Sequence, residues 1–308
     1  MIGDVGSSDD RQTAAAVDCL AAHNDFRILR RLQSVSRFHD PIPENGDLRI
    51  GVAIDVETTG LDHTKDKIIE LAIQRFRFDR AGRIVEVGTP RVWQEDPGIP
   101  ISPTITNLTG LTTADLAGQS IDDQLATEIL KTADIIVAHN ASFDRPFVDQ
   151  RLPAVSELRW ACSINEVDWR ELGFDGRALS HLLAQCGWFY QGHRADADVL
   201  ALLYLLAHTV SDDATILSKL LARADEPTFR CEAIDSAFDT KDRLKARGYR
   251  WDSAQRIWST ELRLGEVDDE RAWLAAEVYM SGGGPRLTKL TAMERYRTMP
   301  TIAIKTGS

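Results

Sequence analysis

Along this 308-residue chain, apolar positions fall into two textures, short runs and helical stripes. The densest run, Ile50 to Ile54, is broken only by Gly51 and leads into Asp55-Val56-Glu57-Thr58-Thr59-Gly60-Leu61. Such a run predicts a strand buried on both faces. Lys67–Phe78 alternates in part, with Ile69, Leu71, Ile73, Phe76 and Phe78, and predicts a second strand. Asp79-Arg80-Ala81-Gly82 reads as a turn and Arg83–Trp93 as a third strand, which gives an antiparallel meander. Pro97 to Pro103 reads as a loop, and Thr112–Ala117 and Ile121–Lys131 as helices. Ala133–Ala138 is a short apolar strand with a helix from Ser142. A strand near Glu157–Ala161, helices near Ile164–Glu171 and Leu179–Cys186, and a long helix over Ala195–His208 complete the pattern. A meander followed by alternating strands and helices predicts an α/β domain over residues 48–210, a mixed sheet with helices on both faces.

The flanks differ in texture. Residues 1–18, rich in Gly, Ser, Asp and Ala, read as a mobile tail. Residues 19–38 carry Leu20, Ile28, Leu29, Leu32 and Val35 at helical spacing beside Arg27, Arg30, Arg31 and Arg37. They predict an amphipathic helix, either packed on the main domain or offered to a partner. With the Pro-rich linker 40–46 they form an N-terminal segment, 1–47. Residues 211–228 read as a linker containing a short helix at Ile216–Ala222. Residues 229–280 read as a small α+β module: a helix at Lys241–Arg247, a hairpin of Tyr249–Trp251 and Arg256–Thr260, and an amphipathic helix at Val267–Met280. Residues 281–308 read as a flexible tail. Within the module, residues 239–263 hold seven Lys/Arg and four Asp/Glu with interleaved aromatics. Lys241, Arg243 and Arg247 there either guide a nucleic-acid strand or form a solvated face over a core of Trp251, Trp258 and Trp273.

Composition narrows the class. With 43% hydrophobic and 27% charged residues, the chain has the make-up of a globular protein, and its length suggests two domains. A net charge of −11 argues against nucleic-acid binding by bulk positive charge, though not against an enzyme that meets phosphates through bound cations. Cys19, Cys162, Cys186 and Cys231 form no C-x-x-C pair, so reduced thiols are expected rather than a zinc site or disulfides. The start, Met1-Ile2-Gly3-Asp4, lacks the pattern of a signal peptide, and Val199–Ala207 is too short to span a bilayer. A cytoplasmic location with no membrane partner is the expectation.

The candidate chemistry begins at the first strand. Asp55 and Glu57 are two residues apart, so they face the same side. Two carboxylates side by side at the end of a buried strand repel each other unless cations lie between them. Ile135-Ile136-Val137-Ala138 runs into His139-Asn140-Ala141-Ser142-Phe143-Asp144, where Ser142 could cap a helix carrying Asp144 in its first turn. Gly192-His193-Arg194-Ala195-Asp196-Ala197-Asp198 places His193 at a helix entry and Asp198 just over a turn inside. Thr106-Asn107-Leu108-Thr109-Gly110-Leu111-Thr112 supplies a loop with a Gly beside an apolar side chain. Asp196 falls on another helical face and reads as solvated, and His139 as a hydrogen-bonded structural residue. Asn140 either orients the carboxylates or braces its loop. His63, His181, Trp160, Trp169, Trp188 and Phe189 read as surface or packing residues.

Three of these stretches, in this order, resemble the DnaQ-like exonucleases of the DEDDh type, related to the proofreading subunit of bacterial replicative polymerases. The motifs are Asp55-Val56-Glu57-Thr58-Thr59-Gly60, His139-Asn140-Ala141-Ser142-Phe143-Asp144, and His193 followed by Asp198. The resemblance covers residues 48–210. It implies a ribonuclease H-like fold and metal-dependent 3′→5′ hydrolysis that releases nucleoside 5′-monophosphates. Asp55, Glu57, Asp144 and Asp198 would hold two Mg²⁺ or Mn²⁺ ions, with Asp55 between them, and His193 would be the general base. Thr58 would offer its backbone to the terminal 3′-hydroxyl, and Leu61 would pack on the terminal base. Gly110 and Leu111 would line the same pocket, with Asn140 nearby. The implied substrate is the 3′ end of a single or frayed strand, DNA rather than RNA, in the setting of a DNA polymerase or repair complex. An exoribonuclease and a non-catalytic scaffold subunit are the alternatives.

Overall fold

The computed structural model describes residues 8–40, 47–210, 213–253, 255–280 and 282–298. Two sheets organise the molecule. The larger is built from β2 (Arg49–Thr58), β3 (Ile68–Phe78), β4 (Ile84–Val87), β5 (Arg91–Gln94), β6 (Ile135–Ala138) and β7 (Trp160–Cys162). Its order is β4-β3-β2-β6-β7, with β5 also on β3. β2 pairs antiparallel with β3 and parallel with β6, and β6 pairs parallel with β7, so the sheet is mixed as expected. The third predicted strand is divided at Thr89-Pro90, where proline lacks the N–H a ladder needs. β4 and β5 pair with different stretches of β3. Gly51 has a steric reason to interrupt the apolar run. An ideal Cβ there would lie 2.1 Å from the Phe76 ring, which crosses that position from β3.

Both faces of the sheet are covered. Ala53 lies under α7 (Ala195–Ala207) and α6 (Leu179–Gln185), in a core with Phe76, Leu202 and Leu206. Val52, Ile54 and Val56 face the opposite core, with Phe147 and Val148 of α5 (Ala141–Arg151) and Leu130 of α4 (Asp123–Leu130). α3 (Thr113–Leu116) matches the helix expected at Thr112–Ala117, while a further short helix, α2 (Pro103–Thr109), takes part of the stretch read as loop. Proline is well placed at the start of α2, Ser102 caps it, and Gly110 ends it at φ 75°. The helix expected at Ile164–Glu171 is a series of turns. There the Glu166 carboxylate accepts from Cys162 N at 2.6 Å, and Trp169 Nε1 donates to Ser163 O at 2.8 Å. These side-chain bonds to the backbone compete with a helical ladder.

The termini depart most from expectation. Ser8–Ala21, read as a tail, is helix α1, in keeping with the helix propensity of its alanines. The stretch 19–38 is not a continuous helix. Arg30–Arg31 (β1) runs parallel to Trp188–Phe189 (β8), and this extended path lets Leu32, Val35 and Phe38 reach the main core. Within the expected linker 211–228, Ile216–Asp225 forms α8, and its Ile216, Leu217 and Leu220 are wholly buried in that core. Thr215 Oγ1 donates to Gly82 O at 2.7 Å and fastens α8 to the β3–β4 turn. The linker reading of 41–46 lies outside the described residues.

The second sheet belongs to the C-terminal module. Its order is β10 (Arg250–Asp252), β11 (Ile257–Arg263), β9 (Thr228–Glu232) and β12 (Arg286–Leu290), with α9 (Lys241–Ala246) and α10 (Val267–Glu277) beside it. The expected hairpin pairs Trp251 with Trp258. The core differs from the tryptophan core expected. Cys231, Leu244, Tyr249, Leu262 and Leu274 fill it, Trp258 and Trp273 pack around it, and Trp251 is half exposed. Part of the expected tail, 282–298, is structured. β12 completes the sheet, and the chain beyond it locks onto the main domain. Trp160 N donates to Ala292 O at 2.8 Å. The wholly buried Arg145 guanidinium donates to Arg295 O at 2.6 Å and to Met293 O at 2.7 Å. Arg295, itself buried, pairs with buried Glu166. Arg295→Ala would leave Glu166 charged and without that partner. It is expected to cost about 3–5 kcal/mol, read as a lowered urea midpoint. An unchanged midpoint would show that this pair does not hold the two parts together. No helix among the described residues is long and apolar enough to cross a membrane.

Candidate active site

The site forms at the carboxyl edge of β2 and β6, where parallel strands of an α/β sheet present their loops. Asp55 and Glu57 project from β2 on the α7 side, the side opposite Val56. Asp198 projects from the first turn of α7. One carboxylate oxygen from each of Asp55, Glu57 and Asp198 lies within 4.8 Å of the others. Asp144 enters from the first turn of α5. β6 has ended by that level, so Val56 N has no ladder partner, and Asp144 Oδ1 accepts from it at 3.1 Å. A register shift at Glu57/Thr58 then frees the chain from β3 and turns it into the following loop.

Burial decides the charge state. In the metal-free protein Asp55 is held well above the usual carboxylate range, first by loss of hydration and then by Asp144, Asp198 and Glu57. Burial, then Asp198 and Glu70, push Glu57 up to about 7. Asp144 is pushed up to about 8, chiefly by burial, although the Val56 bond opposes the change. Burial also raises Asp198. At neutral pH this cluster must either keep protons or exchange them for a cation. The donors are all carboxylate oxygens, which fits a hard divalent ion such as Mg²⁺ or Mn²⁺ better than zinc.

The other residues singled out in the sequence take varied positions. His193 sits at φ 68° and is exposed at the mouth of the site. Its backbone N donates to Asp198 Oδ2 at 2.8 Å, which leaves the imidazole free to reach a substrate. Thr58 is buried, and its hydroxyl donates to Gly60 O at 2.5 Å. Leu61 is 87% exposed and stands out from the loop that follows. Asn140, rather than Ser142, is the N-cap residue of α5, at φ 85° and without a capping bond. Its amide oxygen accepts from Ser142 Oγ at 2.8 Å, so it braces its own loop. His139 is structural. Nδ1 meets Ser163 Oγ at 2.7 Å and Nε2 meets Arg177 O at 2.9 Å, and burial lowers its pKa to about 4. Gly110 caps α2. Leu111 is buried with Ile69, Ile101 and Leu116, so it supports the fold and does not line an open pocket. Asp196 is exposed, as expected.

Three supporting residues escaped the sequence reading. Glu70 lies opposite Glu57 in the β2–β3 register and is wholly buried. Arg194 Nη2 donates to it at 2.7 Å, Ala195 N at 2.9 Å and Gln94 Nε2 at 3.1 Å. Burial raises the pKa of Glu70, but these donors outweigh it and the carboxyl ends below its usual range. Glu70 thus fixes Arg194 and the start of α7, between His193 and Asp198. Tyr190 OH donates to Asp198 Oδ1 at 2.6 Å and aims that carboxylate. A charge inside the apolar strand Ile68–Ile73 was the available signal for Glu70. Tyr190 and Arg194 carried no comparable signal. Tyr190→Phe is expected to weaken Mn²⁺ affinity about 10–100-fold while the protein stays folded, as outer partners of metal ligands do. A titration matching wild type would remove Tyr190 from this role.

A ribonuclease H-like mixed sheet, with carboxylates gathered at the carboxyl edge of its central strands, defines a class of nucleases. The chain belongs to the exonuclease family, whose model matches residues 52–206, half of its length. The resemblance to DnaQ-like exonucleases is thereby borne out. Among curated relatives, the PolC-type DNA polymerase III of Listeria innocua is 34% identical over 167 residues, 51% of this chain and 11% of the relative. The same protein from Bacillus subtilis is 34% identical over 184 residues, 53% of this chain and 12% of the relative. The chain thus matches only about a tenth of these relatives' length. Among solved structures, a complex of Escherichia coli exonuclease I with single-stranded DNA aligns with TM-score 0.43 and 16% identity, over 59% of this chain and 48% of the other. Exonuclease X with 5′-overhanging duplex DNA aligns with TM-score 0.38 and 23% identity, over 54% of this chain and 99% of the other.

Proposed function

We propose that this protein is a 3′→5′ exonuclease that releases nucleoside 5′-monophosphates from single-stranded or frayed DNA. Its cofactors would be two Mg²⁺ or Mn²⁺ ions, and its setting a DNA polymerase or repair complex. The observation that carries this reading is the partly buried cluster of Asp55, Glu57 and Asp198, with buried Asp144 fixed beside it, inside the segment matched by the exonuclease family. The DNA preference and the polymerase setting are supported by the relatives' name, DNA polymerase III. A purely scaffolding role is disfavoured by the retained cluster. An idle site gains nothing from crowding four mutually repelling, partly desolvated carboxylates together.

Asp55, Glu57, Asp144 and Asp198 would hold the ions, which when bound supply positive charge to the phosphoryl oxygens and acidify water. The remaining steps belong to the chain itself. His193 would take the proton of the attacking water at its exposed imidazole, acting as general base. Tyr190 and the His193 backbone N–H keep Asp198 aimed. Glu70, through Arg194, keeps the entry of α7 in register with β2. The Thr58 hydroxyl is occupied within its turn, so the backbone there is what remains for a terminal 3′-hydroxyl. Exposed Leu61 would cover the terminal base.

Strands of matched sequence in DNA and RNA, labelled at either end, test the direction and the sugar. A 5′ label should give a descending ladder, and a 3′ label should appear at once as mononucleotide. A ladder from the 3′-labelled strand would reverse the polarity, and faster loss of RNA would transfer the activity to an exoribonuclease.

A further inference from the structure

The module's most basic helix is only partly neutralised, since exposed Lys245 forms no ion pair among the described residues. Arg243 pairs with Glu277, Arg247 pairs with Glu270, and the Lys241 ammonium lies 4.0 Å from the centre of the Phe238 ring. A further group of cations without ion pairs lies where the module meets the main domain. A cavity of about 280 Å³ opens there between the turns after β7 and the end of β11. Arg170 and Arg177 line it from the main domain and Arg263 from the module, with Asn165 between them. All three arginines are exposed, and none forms an ion pair among the described residues. Asp168 and Asp175 share its wall, so the lining sets three guanidiniums against two carboxylates. Asp168 Oδ1 accepts from Glu171 N at 3.2 Å, and Asp175 lies 3.9 Å from His181.

The position of this cavity gives it meaning. β7 neighbours β6, which neighbours β2, all parallel, so the turns after Cys162 open at the same edge as the carboxylates. Two strand spacings separate them, about 10 Å. Arg177 is also tied to that edge, because its carbonyl receives the His139 imidazole just before the loop that carries Asp144. With about 3.4 Å of rise per nucleotide in a stacked strand, that separation corresponds to roughly two or three nucleotides. In a chain of net charge −11, three exposed guanidiniums without ion pairs line one groove and offer an anion a local site.

We infer that this cleft is a phosphodiester-binding groove, formed jointly by the main domain and the C-terminal module. It holds the strand two to three nucleotides upstream of the scissile end. The inference rests on the exonuclease reading only for the direction of the strand. The C-terminal lock through Arg145 and Arg295 then has a purpose, since it keeps Arg263 at a fixed distance from the carboxylates. The groove reads no sequence, because guanidiniums meeting phosphates carry no base information.

The test uses the full chain in EDTA, with 5′-fluorescein dT12 and dT3 as probes and fluorescence anisotropy over a salt series. The expected result is tighter binding of dT12 than of dT3. Arg170→Gln and Arg263→Gln should each weaken dT12 binding about tenfold. Each should also lower the salt slope by about 0.7, the loss of one phosphate contact to a single strand. Melting curves matching wild type show that the variants are folded, and Arg170→Lys should recover part of the affinity. Equal binding of dT12 by wild type and both variants would overturn the groove. If the variants behave as expected but wild type with Mg²⁺ leaves dT12 intact, the groove stands and the exonuclease reading falls. If dT12 is shortened and the variants bind normally, the reverse holds.

Discussion

Asp55→Asn is expected to lower hydrolysis on the order of 10³-fold or more while raising the melting temperature of the metal-free protein. The two effects share a cause. Asp55 is partly buried at the sheet edge and faces Asp144, Asp198 and Glu57. The asparagine keeps the shape, removes one ionisable group from the cluster and offers a weaker metal ligand. A loss of this size corresponds to about 4 kcal/mol of transition-state stabilisation. Relief of about 1 kcal/mol of repulsion and desolvation corresponds to a rise of about 2–4 °C for a domain of this size. Gel assays on 5′-labelled DNA and calorimetry of EDTA-treated protein would read the two effects. A variant that remains active, or that melts lower than wild type when metal-free, would contradict the role given to Asp55.

The metal-free protein should also lose stability as pH rises, and a divalent ion should reverse that loss. Glu57 titrates at about 7 and Asp144 at about 8 in the fold, against about 4 for both when unfolded. The folded state therefore holds protons that the unfolded state has released. Stability is greatest below about pH 4 as far as these two groups are concerned, and it falls until pH passes 7 to 8. Each proton retained costs about 1.4 kcal/mol per pH unit, and between pH 6 and 8 Asp144 keeps its proton over most of the range and Glu57 over about half, so the loss is roughly 4 kcal/mol. His139 acts in the opposite direction at the acid end. Its pKa of about 4 means that the stability it contributes is lost as pH falls below its ordinary range. Denaturant midpoints at pH 6 and pH 8, with EDTA and with Mg²⁺, decide the matter. The account requires a fall at pH 8 in EDTA and recovery with Mg²⁺. Equal midpoints in all four conditions would mean that the carboxylates are not strained.

The sheet and the carboxylates were legible in the sequence because each rests on local chemistry. The run Ile50–Ile54, the alternation of Ile69 to Phe78 and the i, i+2 spacing of Asp55 and Glu57 are local patterns. The residues that support the site were not legible. Glu70 meets Glu57 only through strand register, and Arg194 meets Glu70 across 124 residues of chain. The termini misled for a related reason. The periodicity of residues 19–38 suggested a helix, but pairing with β8 and burial of Leu32 prevailed over local propensity. Residues 286–298 look polar and tail-like. They are ordered because Arg145 and Glu166, distant in sequence, bind them. The polar face of α9 suggested either a nucleic-acid surface or a solvated face, and its arginines Arg243 and Arg247 pair with Glu277 and Glu270.

The partly buried, partly protonated carboxylates at the end of β2 are, on this reading, a divalent cation site. Calorimetric titration of Mn²⁺ into EDTA-stripped protein at pH 7.5, repeated in buffers of different ionisation enthalpy, tests it most directly. Wild type should bind with release of protons as the ion displaces them, and Asp55→Asn should bind far more weakly. Absence of binding, binding without proton release, or equal binding by the variant would contradict the claim.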